Sequence, residues 1–266
     1  MTIILGLAGA YVAILLLLWA FQERITFPAP RGALPDPQRV DSAGERIELV
    51  MHDGTRLAGW YLPPAAHGPT SPALLWFYGN GETISAIWPV IREFRPPGAA
   101  LLVVDYPGYG ASEGRATEAG IYEAGALAYR ALASRAGVDP KRIYVYGRSL
   151  GSAVATRTAA DFPAAGLILE SPFTSAREMA ARTYRIFPLF LVRLRLDNLE
   201  TIRQVRCPVL VFHGTADRLV PMEMGRRVAE AAPQQKEFVM IEGAGHNETY
   251  DLGGHAYRDK LAQFVR

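Results

Sequence analysis

Three side chains widely separated along the chain are of the types that acyl transfer requires. Gly147-Arg148-Ser149-Leu150-Gly151 closes a β-rich run, RIYVY, and opens an alanine-rich stretch. A tight strand-to-helix turn would hold the Ser149 hydroxyl clear of the backbone, and the flanking glycines leave room where a side chain would collide. The pentapeptide is short enough to recur by chance, and a serine there could equally cap a helix, so its context must carry the reading. A serine hydroxyl is nearly inert at neutral pH unless a base lies within hydrogen-bond reach and a third group fixes the tautomer of that base. Of the five histidines, His52 falls in an early turn, His67 in a Pro/Gly-rich loop, His213 beside a strand end and His255 in the last helix. His246 alone stands in a glycine-bearing loop, EGAGHNE, straight after the last β-rich run, and is the expected general base. For the acid, Asp217 follows PVLVFHG, Glu170 ends the run before it, and Asp105 opens DYPGYG. Asp217 could also pair with Arg218 or cap a helix beginning near Met222. Charge that develops on a former carbonyl oxygen needs two waiting backbone N–H groups. The expected donors are Leu150, next after the serine, and Asn80 in the loop FYGNGE.

The elements that must position these groups are regular. Short β-rich runs recur at 46–51, 57–62, 73–78, 100–105, 142–146, 166–170, 208–212 and 237–241, and the first two read as a hairpin across His52-Asp53-Gly54. Runs such as ALLVVD and GLILE are apolar on both faces, as strands covered by helices on each side require, so the sheet is expected to be mostly parallel. Helices are expected at 84–95, 118–136, 149–162, 222–231 and 254–265, each after a strand. Residues 175–203 exceed what a βα connection needs; Pro188 should split the segment, which reads as a small helical cap over the sheet edge. The fold class is α/β.

Taken together, Tyr78-Gly79-Asn80-Gly81, the run from Asp105 through Gly110 to Ser112, Gly147-Arg148-Ser149-Leu150-Gly151, His213-Gly214 with Asp217, and Gly243-Ala244-Gly245-His246-Asn247 resemble the α/β-hydrolase superfamily. More closely the chain is similar to the membrane-anchored, abhydrolase-domain serine hydrolases, along essentially its whole length. The resemblance implies an α/β-hydrolase fold of about eight mostly parallel strands, with helices on both faces and a small cap. It implies hydrolysis of carboxylic esters or thioesters through an acyl-enzyme; no cofactor is expected, and no metal either, since no His/Asp cluster has ligand spacing. The chain order Ser149, Asp217, His246 is the one expected of such a fold and favours Asp217 over Glu170. The implied substrate is a small or lipid-like acyl ester or thioester, or an acylated protein, since some eukaryotic relatives are protein depalmitoylases. One departure stands out: the family usually carries His-Gly-Asn in the oxyanion loop, and here Tyr78 replaces that histidine.

Composition narrows the alternatives. The chain has 266 residues, 50% of them hydrophobic and 20% charged, enough to bury a substantial core. A net charge of +2 with scattered basic residues argues against a nucleic-acid partner. The single cysteine, Cys207, precedes an apolar run and reads as core packing. Residues 3–21 carry no charge and, as a helix rising about 1.5 Å per residue, nearly cross a hydrocarbon layer roughly 30 Å thick. A cleaved signal peptide is the alternative, but it normally shows a basic n-region, a shorter apolar stretch and a small-x-small site, none of which Leu18-Trp19-Ala20-Phe21-Gln22 supplies; residues 1–23 are therefore expected to be a single-pass membrane anchor, 24–45 a Pro-rich linker and 46–266 the hydrolase domain. Arg24, Arg31 and Arg39 follow the apolar run, which places the domain on the cytoplasmic side. Two other readings compete. Gly108, Gly110 and Gly114 follow a strand, but their spacing is one residue too long for a dinucleotide-binding turn. A catalytically inactive scaffold on the same fold is the second, and the intact serine, aspartate and histidine argue against it.

Overall fold

The computed structural model describes residues 2–64, 71–184 and 187–265; His67 lies outside them. Helix α1 (Thr2–Ala20) is uncharged and leads through Phe21 into the short α2 (Gln22–Thr26). Phe21 N–H donates to the Leu17 carbonyl and Ile25 N–H to the Phe21 carbonyl, both at 3.0 Å, so the two helices form one nearly continuous rod. Strands β1 (Glu45–Val50) and β2 (Arg56–Leu62) pair as an antiparallel hairpin. Strands and helices then alternate: β3 (Ala73–Phe77), α3 (Ile84–Phe94), β4 (Ala100–Val104), α4 (Glu118–Ala133), β5 (Ile143–Arg148), α5 (Leu150–Asp161) and β6 (Gly166–Glu170). After the cap helix α6 (Ala176–Thr183) and the single turn α7 (Asn198–Thr201) come β7 (Val209–Gly214), α8 (Met222–Ala231), β8 (Lys236–Ile241) and α9 (Thr249–Phe264).

The strands form one eight-stranded sheet in the order β1-β2-β4-β3-β5-β6-β7-β8. Only the pairings of β2 with β1 and with β4 are antiparallel. Every residue of β3, β4, β5, β6 and β7 is buried. Helices account for this: α3 packs with α9, while α4, α5, α7 and α8 touch in series. Apolar strands covered on two sides put no polar side chain at risk and leave the strand ends as the place for polar groups.

Three segments are instructive against the sequence expectations. Helix α9 starts at Thr249 rather than at residue 254 and is interrupted at Gly254, whose φ is +46°. Adjacent Gly253 and Gly254 lower helix propensity enough to hide the first turn from a periodicity reading. In the cap, α6 ends at Thr183 and Pro188 precedes a separate 3-10 turn at Leu189–Leu191. Residues 24–45 lie along the sheet domain through specific bonds. Gly110 N–H donates to the Pro30 carbonyl at 2.7 Å, Trp60 Nε1–H to the Pro35 carbonyl at 3.1 Å, and Phe27 is buried in the core.

Candidate active site

Ser149 sits between β5 and α5 with φ +50° and ψ −114°, a left-handed backbone that costs a non-glycine residue on the order of 1–3 kcal/mol. The surroundings enforce it. A Cβ at Gly147 would collide with the Gly151 carbonyl and Ala155, and one at Gly151 with the Phe77 and Tyr78 carbonyls. Only glycines let β3, β5 and α5 approach this closely. Ser149 makes no side-chain cap to its helix, so the N-cap alternative is not the one realised. Its hydroxyl is left to another partner.

That partner is His246, whose Nε2 lies 3.0 Å from Ser149 Oγ; its Nδ1 lies 2.7 Å from Asp217 Oδ2. The loops after β5, β7 and β8 thus deliver serine, aspartate and histidine to one edge of the sheet. Asp217 Oδ1 accepts the Leu219 and Val220 N–H groups at 3.0 and 2.8 Å, so this carboxylate also shapes its own loop. Burial would push the Asp217 carboxyl up, but hydrogen bonds from His213, His246 and the Val220 N–H outweigh it and hold it well below the usual carboxylate range. An anion facing Nδ1 keeps the proton there and leaves Nε2 as an acceptor.

The other candidates go elsewhere. Glu170 accepts from the Tyr146 hydroxyl, Thr249 Oγ1, Tyr257 and Arg148, all buried, and so is occupied beneath the site. Asp105 accepts from the Tyr78 hydroxyl and from the Ile84 and Ala111 N–H groups. His52 pairs with Glu123 and His255 with Arg258, while the His213 Nε2–H donates to the Val220 carbonyl at 2.8 Å and lies 3.5 Å from Asp217 Oδ2, so it supports the acid instead of meeting the serine.

Leu150 opens α5, so its N–H is among the first-turn donors that a helix leaves without an internal partner, at the positive end of the dipole. Asn80 follows β3. Its Nδ2 donates to the Thr26 carbonyl at 2.7 Å and its Oδ1 accepts from the Tyr109 hydroxyl at 2.6 Å. The loop is braced below by Tyr78, whose hydroxyl donates to Asp105 at 2.9 Å and accepts the Tyr106 N–H at 3.1 Å, while the Tyr106 hydroxyl donates to the Tyr78 carbonyl at 2.9 Å.

Arg148 was no more than a variable position in the sequence motif, yet it ties the loop after β3 to the loop that carries His246. Its side chain is 6% exposed. Nε donates to Glu170 at 3.1 Å, Nη1 to Glu82 at 2.5 Å, and Nη2 to the His246 carbonyl at 2.8 Å and Asn247 Oδ1 at 2.7 Å. Glu82 in turn accepts the Gly79 N–H at 2.6 Å. Burial works against the charge of Arg148, and the Glu170 and Glu82 carboxylates more than offset it, raising its pKa further.

A cavity of about 340 Å³ opens over Ser149. Asn80, Ser149 and Leu150 line it, as do Met179, Phe187 and Leu194 of the cap. None of the described lining residues is charged. Among the described residues no cluster of histidine, cysteine and carboxylate side chains could hold a metal ion.

A family model described as serine aminopeptidase, S33, matches residues 68–201 and 187–252. The chain is 36% identical over 255 residues to the uncharacterized protein Rv2307c of Mycobacterium tuberculosis, covering 95% of this chain and 90% of that one. It is 31% identical over 287 residues to the alpha/beta hydrolase domain-containing protein WAV2 of Arabidopsis thaliana, covering 98% and 92%. The esterase Pf2001 of Pyrococcus furiosus shares the fold at a TM-score of 0.72 and 20% identity, over 89% of this chain and 97% of that one. With the sheet order, the turn at Ser149 and these relatives in agreement, the chain belongs to the α/β-hydrolase superfamily, in the serine aminopeptidase S33 family.

Proposed function

We propose that the chain is a serine hydrolase that cleaves carboxylic esters or thioesters through an acyl-enzyme. The observation that carries this reading is the relay of 3.0 Å and 2.7 Å contacts from Ser149 through His246 to Asp217, built on a strained serine. Ser149 Oγ attacks the acyl carbon while its proton passes to His246 Nε2; Asp217 balances the imidazolium. The Leu150 and Asn80 N–H groups receive the oxyanion. As the intermediate collapses, the leaving alcohol or thiol takes the proton from His246. A water molecule, deprotonated by the same nitrogen, then releases the acid and restores the serine.

The uncharged cavity favours an acyl chain over a peptide with a free α-amino group, whose ammonium would lack a counter-charge among the described lining residues. An apolar chain gains from burial there without desolvating a charge. The name of the esterase Pf2001 agrees with ester chemistry. Residues 1–23 serve in this reading as a single-pass anchor. Its helix has mean hydropathy 2.5 over Ile3–Ala20 and none of that window is buried, which supports the anchor; Arg24, Arg31 and Arg39 behind it favour the cytoplasmic side for the domain of residues 46–266.

Fluorophosphonate should label the wild type at Ser149, and Ser149→Ala should abolish labelling and lower p-nitrophenyl butyrate turnover by about 10³-fold or more with the circular dichroism unchanged. Retained turnover in the alanine variant would assign the nucleophile elsewhere. A folded wild type that neither labels nor turns over ester would end the proposal.

A further inference from the structure

The anchor helix does not stop at the domain; it becomes part of the cavity. Leu18, Gln22, Ile25 and Thr26 line the cavity over Ser149, and their spacing of four, three and one residues puts them on a single face of the α1–α2 rod. Two sets of bonds hold the rod in place. Gln22, itself 9% exposed, donates through Nε2 to the Leu191 carbonyl at 2.7 Å and accepts the Arg193 N–H through Oε1 at 2.8 Å. Arg193 reaches back to the Trp19 carbonyl at 3.0 Å, with its guanidinium 4.6 Å from the centre of the Trp19 ring. Below them the Thr26 carbonyl holds Asn80, the residue of the oxyanion loop. The last turns of the rod are therefore clamped between cap and catalytic loop.

The surface around this clamp is apolar and open. Phe190 is 80% exposed beside Leu191, Phe21 is exposed beside Gln22, and Ile25, Tyr184 and Leu219 are exposed on the cavity wall. On the other side of the rod a second cavity gathers Arg24, Arg31 and Arg115. An apolar rim next to a basic hollow, both continuous with a helix that has no buried residue along its apolar window, matches the acyl and headgroup layers of a leaflet. A helix of this length, about 28 Å, leaves its last turn at the interface.

We propose that the cavity takes its acyl chain directly from the bilayer leaflet adjoining the domain, with the last turn of the rod as one wall and Phe190 of the cap seated in the surface of that leaflet. The substrate class is then a membrane-embedded acyl ester or thioester. This rests on the acyl-hydrolase reading above and adds the route of access.

The test uses the full chain reconstituted in phosphatidylcholine vesicles carrying 4-methylumbelliferyl palmitate, with water-soluble 4-methylumbelliferyl acetate as a second substrate. Phe190 does not line the cavity. Phe190→Asp should lower palmitate turnover about tenfold, the worth of one aromatic side chain withdrawn from the interface, and leave acetate turnover unchanged; Phe190→Trp should keep both. If the Asp variant loses acetate turnover as well, Phe190→Ser is judged by the same comparison. Equal palmitate turnover in wild type and a variant that still cleaves acetate would overturn the membrane route and leave the hydrolase reading standing. A wild type that cleaves neither ester would remove that reading and the route with it.

Discussion

Arg148 is the residue on which the geometry around Ser149 converges, because one rigid guanidinium ties the strand below the serine to both loops above it. Through Glu82 it sets the loop that carries Gly79 and Asn80, and through its second nitrogen it sets the backbone of His246 itself. A lysine would keep the charge but not the fork, so several of these directions would be lost together. Arg148→Lys should therefore lower kcat by about 10- to 100-fold, the equivalent of one or two charge-assisted hydrogen bonds, while KM for a short ester changes little. A variant with a lower Tm but an unchanged kcat would make the role structural only. Sequence reading could not find it, because its partners Glu170, Glu82 and Asn247 lie 22, 66 and 99 positions away. Ser149, Asp217 and His246 were different: each follows a β-rich run, and position at a strand end is a local signal.

Strands and helices were readable for the same reason. Runs apolar on both faces identify central strands, and β6 and α8 have the bounds expected for them. Where glycine pairs or prolines break the period, as at Gly254 or in residues 24–45, pattern alone says little about how the chain is held. The loop after β3 is a second such case: replacing the usual histidine by Tyr78 left its bracing open, and the brace depends on Asp105 and Tyr106, which β4 delivers. Tyr78→Phe would leave the Tyr106 N–H without its acceptor and take one donor from Asp105, both buried. The expected cost is about 1–3 kcal/mol, read as a lower urea midpoint at constant m. No change in midpoint would mean that another group takes over both bonds.

Sheet, cap and N-terminal rod meet at the C-terminal edge of the parallel strands, and all three contribute to the cavity there. The strands contribute a rigid floor with Ser149, the cap contributes Met179, Phe187 and Leu194, and the rod closes the remaining side with Leu18 and Ile25. Among its described lining residues none is charged to orient a polar group, so its selectivity should come from how much apolar surface it removes from water. Each methylene that fits is worth about 0.8 kcal/mol, about a fourfold gain in kcat/KM. Over a series of p-nitrophenyl esters from acetyl to octanoyl, kcat/KM should thus climb with every added pair of methylenes until the cavity is full and then level off. The gain belongs to binding carried into the transition state, so it should persist under subsaturating conditions where kcat/KM is measured directly. A flat series with active enzyme would show that the acyl chain lies outside this cavity and that the alcohol or thiol side of the substrate occupies it.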